Sequence, residues 1–177
     1  MSDSQGGKSL AGVKLIGIDF QDEILTTSLQ EDLQRTPRMG VSRVADTNDP
    51  FAAPPNYKPS GRPLQAVVVG AQLARAWSLR RGDTIEIVTG VPDAETGDFR
   101  TQNRRYVVAG TFRSGENEMD LERIYLPRAE LIDFLGTGRA YSQILIKSKD
   151  YEQHGRALQS DLTERLVASG VLRDLDS

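Results

Sequence analysis

Four carboxylates alternate along residues 116–122, at a spacing that could support metal or acid–base chemistry. They are Glu116, Glu118, Asp120 and Glu122. On an extended segment, alternate side chains project to one side, where oxygen ligands could bind calcium and a carboxylate pair could serve a hydrolase. The Asp-x-Asp-x-Asp-Gly pattern of a calcium loop is absent, and side chains this exposed would not have a raised pKa. A solvated hairpin turn is therefore the favoured interpretation.

Other reactive groups are scarce. The chain has no cysteine and one histidine, His154, which excludes thiol chemistry and a His-rich metal site. His154 is predicted on a helix, without a recognisable triad partner. Gly7-Lys8-Ser9 resembles the end of a phosphate-binding loop, but no strand precedes it and position 2 is Ser2 instead of the first glycine. We therefore predict no catalytic residues, no metal and no cofactor.

Charge and hydropathy limit the partners. The net charge of −3 argues against a broad nucleic-acid surface. Arginines could form a basic patch, but the mixed charge around them favours a solvated strand face; they are Arg80, Arg81, Arg104, Arg105 and Arg113. No apolar run approaches the roughly 20 residues of a membrane span, and the N-terminus lacks the apolar region of a signal peptide.

The strands that would position these groups centre on residues 104–127. Apolar or small residues fill 106–112, which is typical of a strand covered on both faces. Gly110 within it predicts a bulge or a close backbone approach. A polar turn over 113–118 and a second strand containing Leu121 and Ile124 follow.

Upstream, the pattern predicts a strand at 13–18 and a helix over roughly 21–35. Asp19 would cap that helix, and Leu25, Leu29 and Leu33 would form its apolar stripe. Residues 42–63 form a loop long enough to wrap a surface or carry function, with Phe51 and Tyr57 as anchors to the core. The next predicted elements are a strand at 64–70, a helix at 71–79, a tight turn at 80–83 and a strand at 84–89.

Downstream, we predict a helix at 129–135 that ends before Gly136, and a strand at 142–147. Asp150 would then cap a helix that extends to about Ser169, and a last strand would begin at 171–172. The predicted class is α+β. Residues 12–177 form a single domain. A β-rich lobe with an extended hairpin covers roughly 12–113 and a βαβ-sandwich lobe of ferredoxin-like type covers roughly 114–177, with strand sharing between the two lobes left open. Residues 1–11 form a flexible tail or a cloning remnant.

Residues 90–103 join two strong strands but exceed the two to five residues that a hairpin needs. A polar loop retained on a rigid scaffold is a common place for recognition. Val91, Pro92 and Phe99 are the only side chains there able to supply an apolar anchor, and interface energy concentrates in such anchors. We therefore predict that this hairpin contacts a partner; the alternative is a simple connection, because loops tolerate insertions at little entropic cost.

Three segments taken together resemble one family. They are 13–19 (VKLIGID), 66–74 leading to 79–85 (AVVVGAQLA, LRRGDTI), and 106–115 (YVVAGTFRSG) followed by Asp120 and 124–126 (IYL). The set resembles the periplasmic core domain of MacB/FtsX-type ABC-transporter permeases, closest to the lipoprotein-releasing permeases LolC and LolE. Its structural motif positions are Gly17, Asp19, Gly70, Gly82, Asp83, Gly110 and Gly115.

The resemblance implies a two-lobed, non-catalytic periplasmic domain of an inner-membrane protein, held between two transmembrane helices. Such a domain transmits motion from the cytoplasmic ABC ATPase and engages a substrate or a periplasmic carrier protein. In the Lol permeases a protruding hairpin holds the carrier, and the matching place here is 91–102. This hairpin is acidic, with Asp93, Glu95 and Asp98, which departs from that pattern.

Two further departures concern the ends of the chain. It begins almost at the Gly-Ile-Asp motif, so the resemblance implies a sandwich that lacks its first strand, and the flanking membrane helices are absent. An excised extracytoplasmic domain is therefore expected. Two other functions remain open: a free-standing small β-barrel binding module, suggested by the turn and strand at 79–87, and a hydrolase that uses the carboxylates of 116–122.

Overall fold

The computed structural model describes residues 12–35, 40–92, 98–136, 143 and 145–169. It contains five strands and six helices, which confirms the α+β class. The strands are β1 (Lys14–Ile18), β2 (Ala66–Gly70), β3 (Thr84–Pro92), β4 (Phe99–Phe112) and β5 (Arg123–Pro127). The helices are α1 (Phe20–Thr26), α2 (Leu29–Gln34), α3 (Ala71–Ala76), α4 (Asn117–Glu122), α5 (Arg128–Leu135) and α6 (Tyr151–Ala168).

All five strands form one mixed sheet in the order β1-β5-β2-β4-β3. β1 is parallel to β5, and β2 is parallel to β4, while β5 is antiparallel to β2 and β3 is antiparallel to β4. β5 lies beyond residue 113, where the β-rich lobe was predicted to end, yet it pairs with both β1 and β2. The two predicted lobes therefore share a sheet.

Apolar side chains cover both faces of this sheet. On one face, alternate residues of the central strands pack with Leu29 and Leu33 of α2 and with Phe51 and Tyr57 of the long loop. On the other face, the intervening residues pack with Leu73 of α3 and with Phe134 of α5. Residues 106–112 are buried throughout, as their composition predicted, because β4 lies inside the sheet.

The predicted bulge at Gly110 is confirmed. Val67 pairs with Val108 but Val68 pairs with Gly110, so β4 contains one extra residue at this point. Gly110 has φ +155°, and a Cβ placed on it would overlap the backbone of Arg43 and Val44. The long loop crosses here, where Arg43 forms an isolated parallel bridge with Thr111. A glycine therefore lets two backbones meet.

The predicted helix over 21–35 is wrong as a single element. Thr26 and Thr27 hydroxyls donate to the backbone carbonyl of Glu23, each at 3.1 Å, and the Thr27 hydroxyl accepts from the amide of Leu29. These local bonds compete with the helical pattern, so the chain turns between α1 and α2. Leu29 and Leu33 are buried as predicted, whereas Leu25 lies on α1 and is 71% exposed.

The chain divides into two compact units, Met1–Ser142 and Gln143–Ser177. In the second unit, Asp150 accepts from the amide of Gln153 at 3.1 Å, which confirms the predicted cap of α6. The predicted strand at 142–147 is wrong for residues 143 and 145–147, which have no strand partner. Apolar residues favour a strand only where a neighbouring strand can pair with them, and Leu145 and Ile146 are about half exposed.

Several predictions fall outside the described residues: the N-terminal tail at 1–11, the last strand at 171–172, and Gly170, which the sequence predicts as the residue that ends the last helix. Gly136 is described and lies at the end of α5 in the left-handed conformation, as predicted. Within the described residues, no helix is both long and apolar enough to span a membrane.

The turn before β3 gives a first testable prediction. Gly82 has φ +94°, and no atom lies within 4 Å of a Cβ built on it. Replacement by valine should therefore cost about 1–3 kcal/mol of unfolding free energy, from backbone strain and not from a clash. Denaturant unfolding of Gly82→Val measures this, with Gly61→Val, at an open position without that conformation, as the control. An unchanged midpoint for Gly82→Val would refute it.

Candidate functional site: the β3–β4 ribbon

The predicted hairpin is a long two-stranded ribbon. β3 and β4 pair without interruption from Thr84 with Val107 to Pro92 with Phe99. β2 pairs only with residues 107–112 of β4, so residues 99–105 have β3 as their only strand neighbour among the described residues. Seven residues at the rise of a β-strand extend about 20 Å. Most of the predicted loop at 90–103 is thus paired strand.

One face of the ribbon is fixed to α5. The guanidinium of Arg104 bonds Glu130 Oε1 at 2.8 Å and Asp133 Oδ2 at 2.7 Å. It also lies 5.2 Å from the centre of the Phe134 ring, which meets Tyr106 edge-on. The hydrogen bond to Glu130 raises the pKa of Arg104, so the cation persists at all accessible pH values. Charge-assisted hydrogen bonds from one guanidinium nitrogen to two carboxylates of α5 hold the base of the ribbon against this helix.

The opposite face carries an exposed apolar strip. Val88 and Phe99 are 54% and 76% exposed. Gly90 lies between them, and the Phe99 ring covers it, with Cδ1 3.5 Å from where a Cβ would be. Alternate residues of a strand share a face, and so do cross-strand partners. Val88 and Gly90 therefore lie on the same side as Phe99, which pairs with Pro92. Large exposed side chains on a braced element are typical of a protein contact site.

The three predicted anchors are not equivalent. Phe99 is exposed as the prediction requires, but Val91 is only 4% exposed and cannot anchor a partner without moving. This part of the prediction is corrected: the period of two places Val91 on the same face as Ile85 and Ile87. Pro92 pairs with Phe99 at the end of the ribbon, and its side chain lies outside the description, as do Asp93 and Glu95. Val88, which the prediction missed, replaces Val91.

The four carboxylates of 116–122 do not alternate in space. Residues 117–122 form α4 instead of an extended turn. Asp120 is buried, and its Oδ1 accepts from the amide and hydroxyl of Ser114 at 2.8 and 2.7 Å. This pair of bonds ties the helix to the preceding turn. The arrangement on which the calcium and acid–base interpretations depended is thus absent, and the described residues contain no acidic or histidine group able to hold a metal ion.

The other candidate groups are also separated. Arg104 and Arg105 project from opposite faces of β4, because neighbouring residues of a strand alternate. Arg81 donates to the backbone oxygen of Arg43 at 3.4 Å. The five predicted arginines therefore do not form one patch. His154 is exposed on α6.

The motif residues have structural roles. Gly17 lets Leu131 of α5 pack against β1, and Gly70 lets the backbone of Asp120 approach the end of β2. A Cβ at either position would overlap these atoms. The Asp19 carboxylate pairs with Arg128 at 2.7 Å instead of capping α1. Asp83 Oδ2 accepts from the amide of Arg80 at 2.7 Å and closes the turn before β3. Gly115 has φ +92° in the turn before α4.

A buried carboxylate that sequence reasoning missed lies beside this turn. Asp32 of α2 is buried, faces Arg35 at 3.5 Å, and accepts from the Ser28 hydroxyl at 3.4 Å. Its Oδ1 has no hydrogen-bond partner among the described residues. Burial raises the pKa of Asp32 above its ordinary value of 3.8, against the opposing effects of Arg35 and Ser28, while Asp120 and Glu31 raise it further.

This carboxylate should make stability depend on pH. A raised pKa in the folded state means that the folded protein binds the proton more tightly than the unfolded chain. The stabilisation is present below pH 3.8 and is lost as the pH rises through the folded pKa. The unfolding free energy of Asp32→Asn, relative to the parent, should therefore increase as the pH rises from 3.8. Urea unfolding between pH 3 and 8 measures it.

The matched control is Asp49→Asn, because Asp49 is exposed. This variant makes the same chemical change at a side chain in contact with solvent, so the increase for Asp32→Asn should exceed any change measured for the control. A difference for Asp32→Asn that is flat or that decreases with rising pH would contradict the argument.

No protein-family model matches the chain, and comparison with curated proteins finds no significant similarity.

Proposed function

We propose that this chain is a non-catalytic extracytoplasmic domain of an ABC-transporter permease of the MacB/FtsX type. It transmits motion between the membrane helices and engages a substrate or a periplasmic partner protein. The observation that carries the proposal is the β3–β4 ribbon, which extends from a sheet covered on both faces and presents Val88 and Phe99. An arm braced at its base by Arg104 can both bind a protein and transmit force.

The motif positions support the same proposal. Gly17, Gly70 and Gly110 each allow two elements of one sheet-and-helix unit to meet closely. The segments that carry the resemblance therefore act together in a single structure, as the core of a mechanical domain requires.

The geometry supports the two other functions, a β-barrel binding module and a carboxylate-based hydrolase, less well. The strand order is linear, with β1 and β3 at opposite edges and no pairing between them in the described residues, so these strands do not close into a barrel. Three of the four carboxylates proposed for a hydrolase lie on α4 instead of alternating along an extended segment. The most buried of them, Asp120, accepts hydrogen bonds from the amide and the hydroxyl of Ser114.

The genomic locus tests the permease proposal directly. Coding sequence for transmembrane helices should continue in frame on both sides of this chain, and a gene for an ABC ATPase should lie in the same operon or be fused to it. Stop codons immediately outside both ends would overturn it. A lipoprotein-releasing function would further require that depletion of the intact protein retains lipoproteins in the inner membrane.

A further inference from the structure

The final part of the long loop borders a concavity of about 600 Å³. Lys58 and Arg62 line it from the loop, and Arg105 lines it from β4. Tyr57, Ser60 and Thr84, which carry hydroxyl groups, also line it, and no Asp or Glu is among the described residues of the lining. Three cations thus border one site in a protein whose net charge is −3.

The loop that carries these residues is held in place. Tyr57 packs against the core, and its hydroxyl accepts from the amide of Leu64 at 3.3 Å. The amide of Tyr57 donates to the carbonyl of Pro54 at 2.9 Å, and Phe51 meets Phe20 edge-on. Lys58 and Arg62 are exposed and lie on a segment that is anchored to the core at Tyr57 and Leu64.

Among the described residues, none of Lys58, Arg62 and Arg105 forms a salt bridge. Glu86 is the cross-strand partner of Arg105, and its carboxylate accepts from the amide group of Asn103. A hydrogen bond from a neutral amide does not remove the charge of a carboxylate, so Glu86 offsets part of the positive charge at Arg105. Three like charges that border one concavity repel one another. An anion bound between them would relieve this repulsion.

We propose that this concavity binds a ligand that carries a phosphate group. Guanidinium groups form paired hydrogen bonds with phosphate oxygens, and an ammonium adds a point charge. Arg62, Arg105 and Lys58 supply these groups from two directions, and Ser60 and Thr84 add neutral donors. The volume lies within the range of about 300–1,000 Å³ common for small-molecule sites, so it admits more than the phosphate itself. A soluble phosphate ester and a phospholipid headgroup share this chemistry.

Binding of glycerol 3-phosphate and of vesicles tests the site and separates the two sources. The first arm is an NMR titration of the full chain with glycerol 3-phosphate at constant ionic strength. The second is co-sedimentation with phosphatidylcholine vesicles, with and without phosphatidylglycerol. Saturable shifts around the concavity support a soluble ester, and binding only to the anionic vesicles supports a headgroup.

The variant Arg62→Gln/Arg105→Gln should weaken the observed binding about tenfold or more, because hydrogen bonds to charged groups are strong. The control Arg100→Gln/Arg156→Gln removes the same charge from exposed positions outside the concavity and should retain at least half of the parental affinity. Circular dichroism verifies that both fold. The proposal is overturned if the parent binds neither probe saturably, or if both double variants lose affinity equally.

Discussion

Replacement of Gly110 by alanine is expected to destabilise the chain by about 2–6 kcal/mol, since conformational strain and steric overlap each cost about 1–3 kcal/mol. The φ of +155° disfavours any side chain. The added Cβ would also lie 2.5 Å from the carbonyl carbon of Arg43 and close to the amide nitrogen of Val44. These are backbone atoms, which cannot rotate away as a side chain would. A loss of this size is a large part of the 5–15 kcal/mol that typically stabilises a domain.

Three other glycines separate the two contributions. Gly82 has positive φ but open space around it, so Gly82→Ala reports strain alone. Gly70 has an ordinary φ of −62° but abuts the backbone of Asp120, so Gly70→Ala reports overlap alone. Gly61 has neither feature, and Gly61→Ala should unfold at the same denaturant concentration as the parent. In chemical denaturation of the four variants, Gly110→Ala should have the lowest midpoint concentration of denaturant. A midpoint for Gly110→Ala at or above that of Gly82→Ala would refute the overlap argument.

The central strand and its bulge could be predicted because the information is local. Residues 106–112 are apolar or small, which indicates a strand buried on both faces. Glycine is the residue type that tolerates a close backbone approach, and Gly110 is the only glycine in this stretch. The element that approaches, Arg43 and Val44, could not be identified, because it belongs to a loop 66 to 67 residues earlier in the chain. Non-local partners have no signal in the strand itself.

Residues 116–122 show why the carboxylate prediction was wrong. Alternating acids have a period of two, which suggested an extended segment. The structure forms a helix here because Ser114 and Asp120 bond across the turn and because Gly70 leaves room for the Asp120 backbone. Asp32 is the opposite case: in its sequence context of Leu-Gln-Glu-Asp-Leu-Gln, nothing distinguishes it from the neighbouring Glu31. Its burial comes from the docking of α2 beside the end of β4, where Asp32 O accepts from the amide of Arg113 at 3.0 Å.

The sequence predicted that residues 90–103 contact a partner, but it did not predict that most of them form paired strands. Residues 99–105 are mostly polar, so propensity alone does not favour a strand. Their pairing with β3 follows from the uninterrupted register that begins in the buried part of the sheet. The alternation that starts at Ile85 and Ile87 continues to Val91, and this signal would have assigned Val91 to the covered face. The same alternation would have placed Val88 beside Phe99.

Removal of the apolar strip should therefore abolish partner engagement without unfolding the domain. The variant Val88→Ser/Phe99→Ser changes two exposed side chains and leaves Arg104, Tyr106 and their contacts with α5 intact. Exposed substitutions of this kind change stability by less than about 0.5 kcal/mol. Truncated interface anchors each cost about 2 kcal/mol or more, so partner capture should decrease at least about tenfold.

Photo-cross-linking in cells, from a probe at Thr101 in the intact protein, measures this capture. Thr101 is the cross-strand partner of Gly90, so it lies on the face that Val88 and Phe99 share. The matched control is Leu25→Ser/Leu121→Ser, which removes two apolar side chains that are 71% and 48% exposed outside the ribbon. If the strip binds the partner, the ribbon variant loses the cross-linked product while the control retains it. Equal yields in parent and ribbon variant, or equal losses in both variants, would mean that the ribbon is only a connection between two strands.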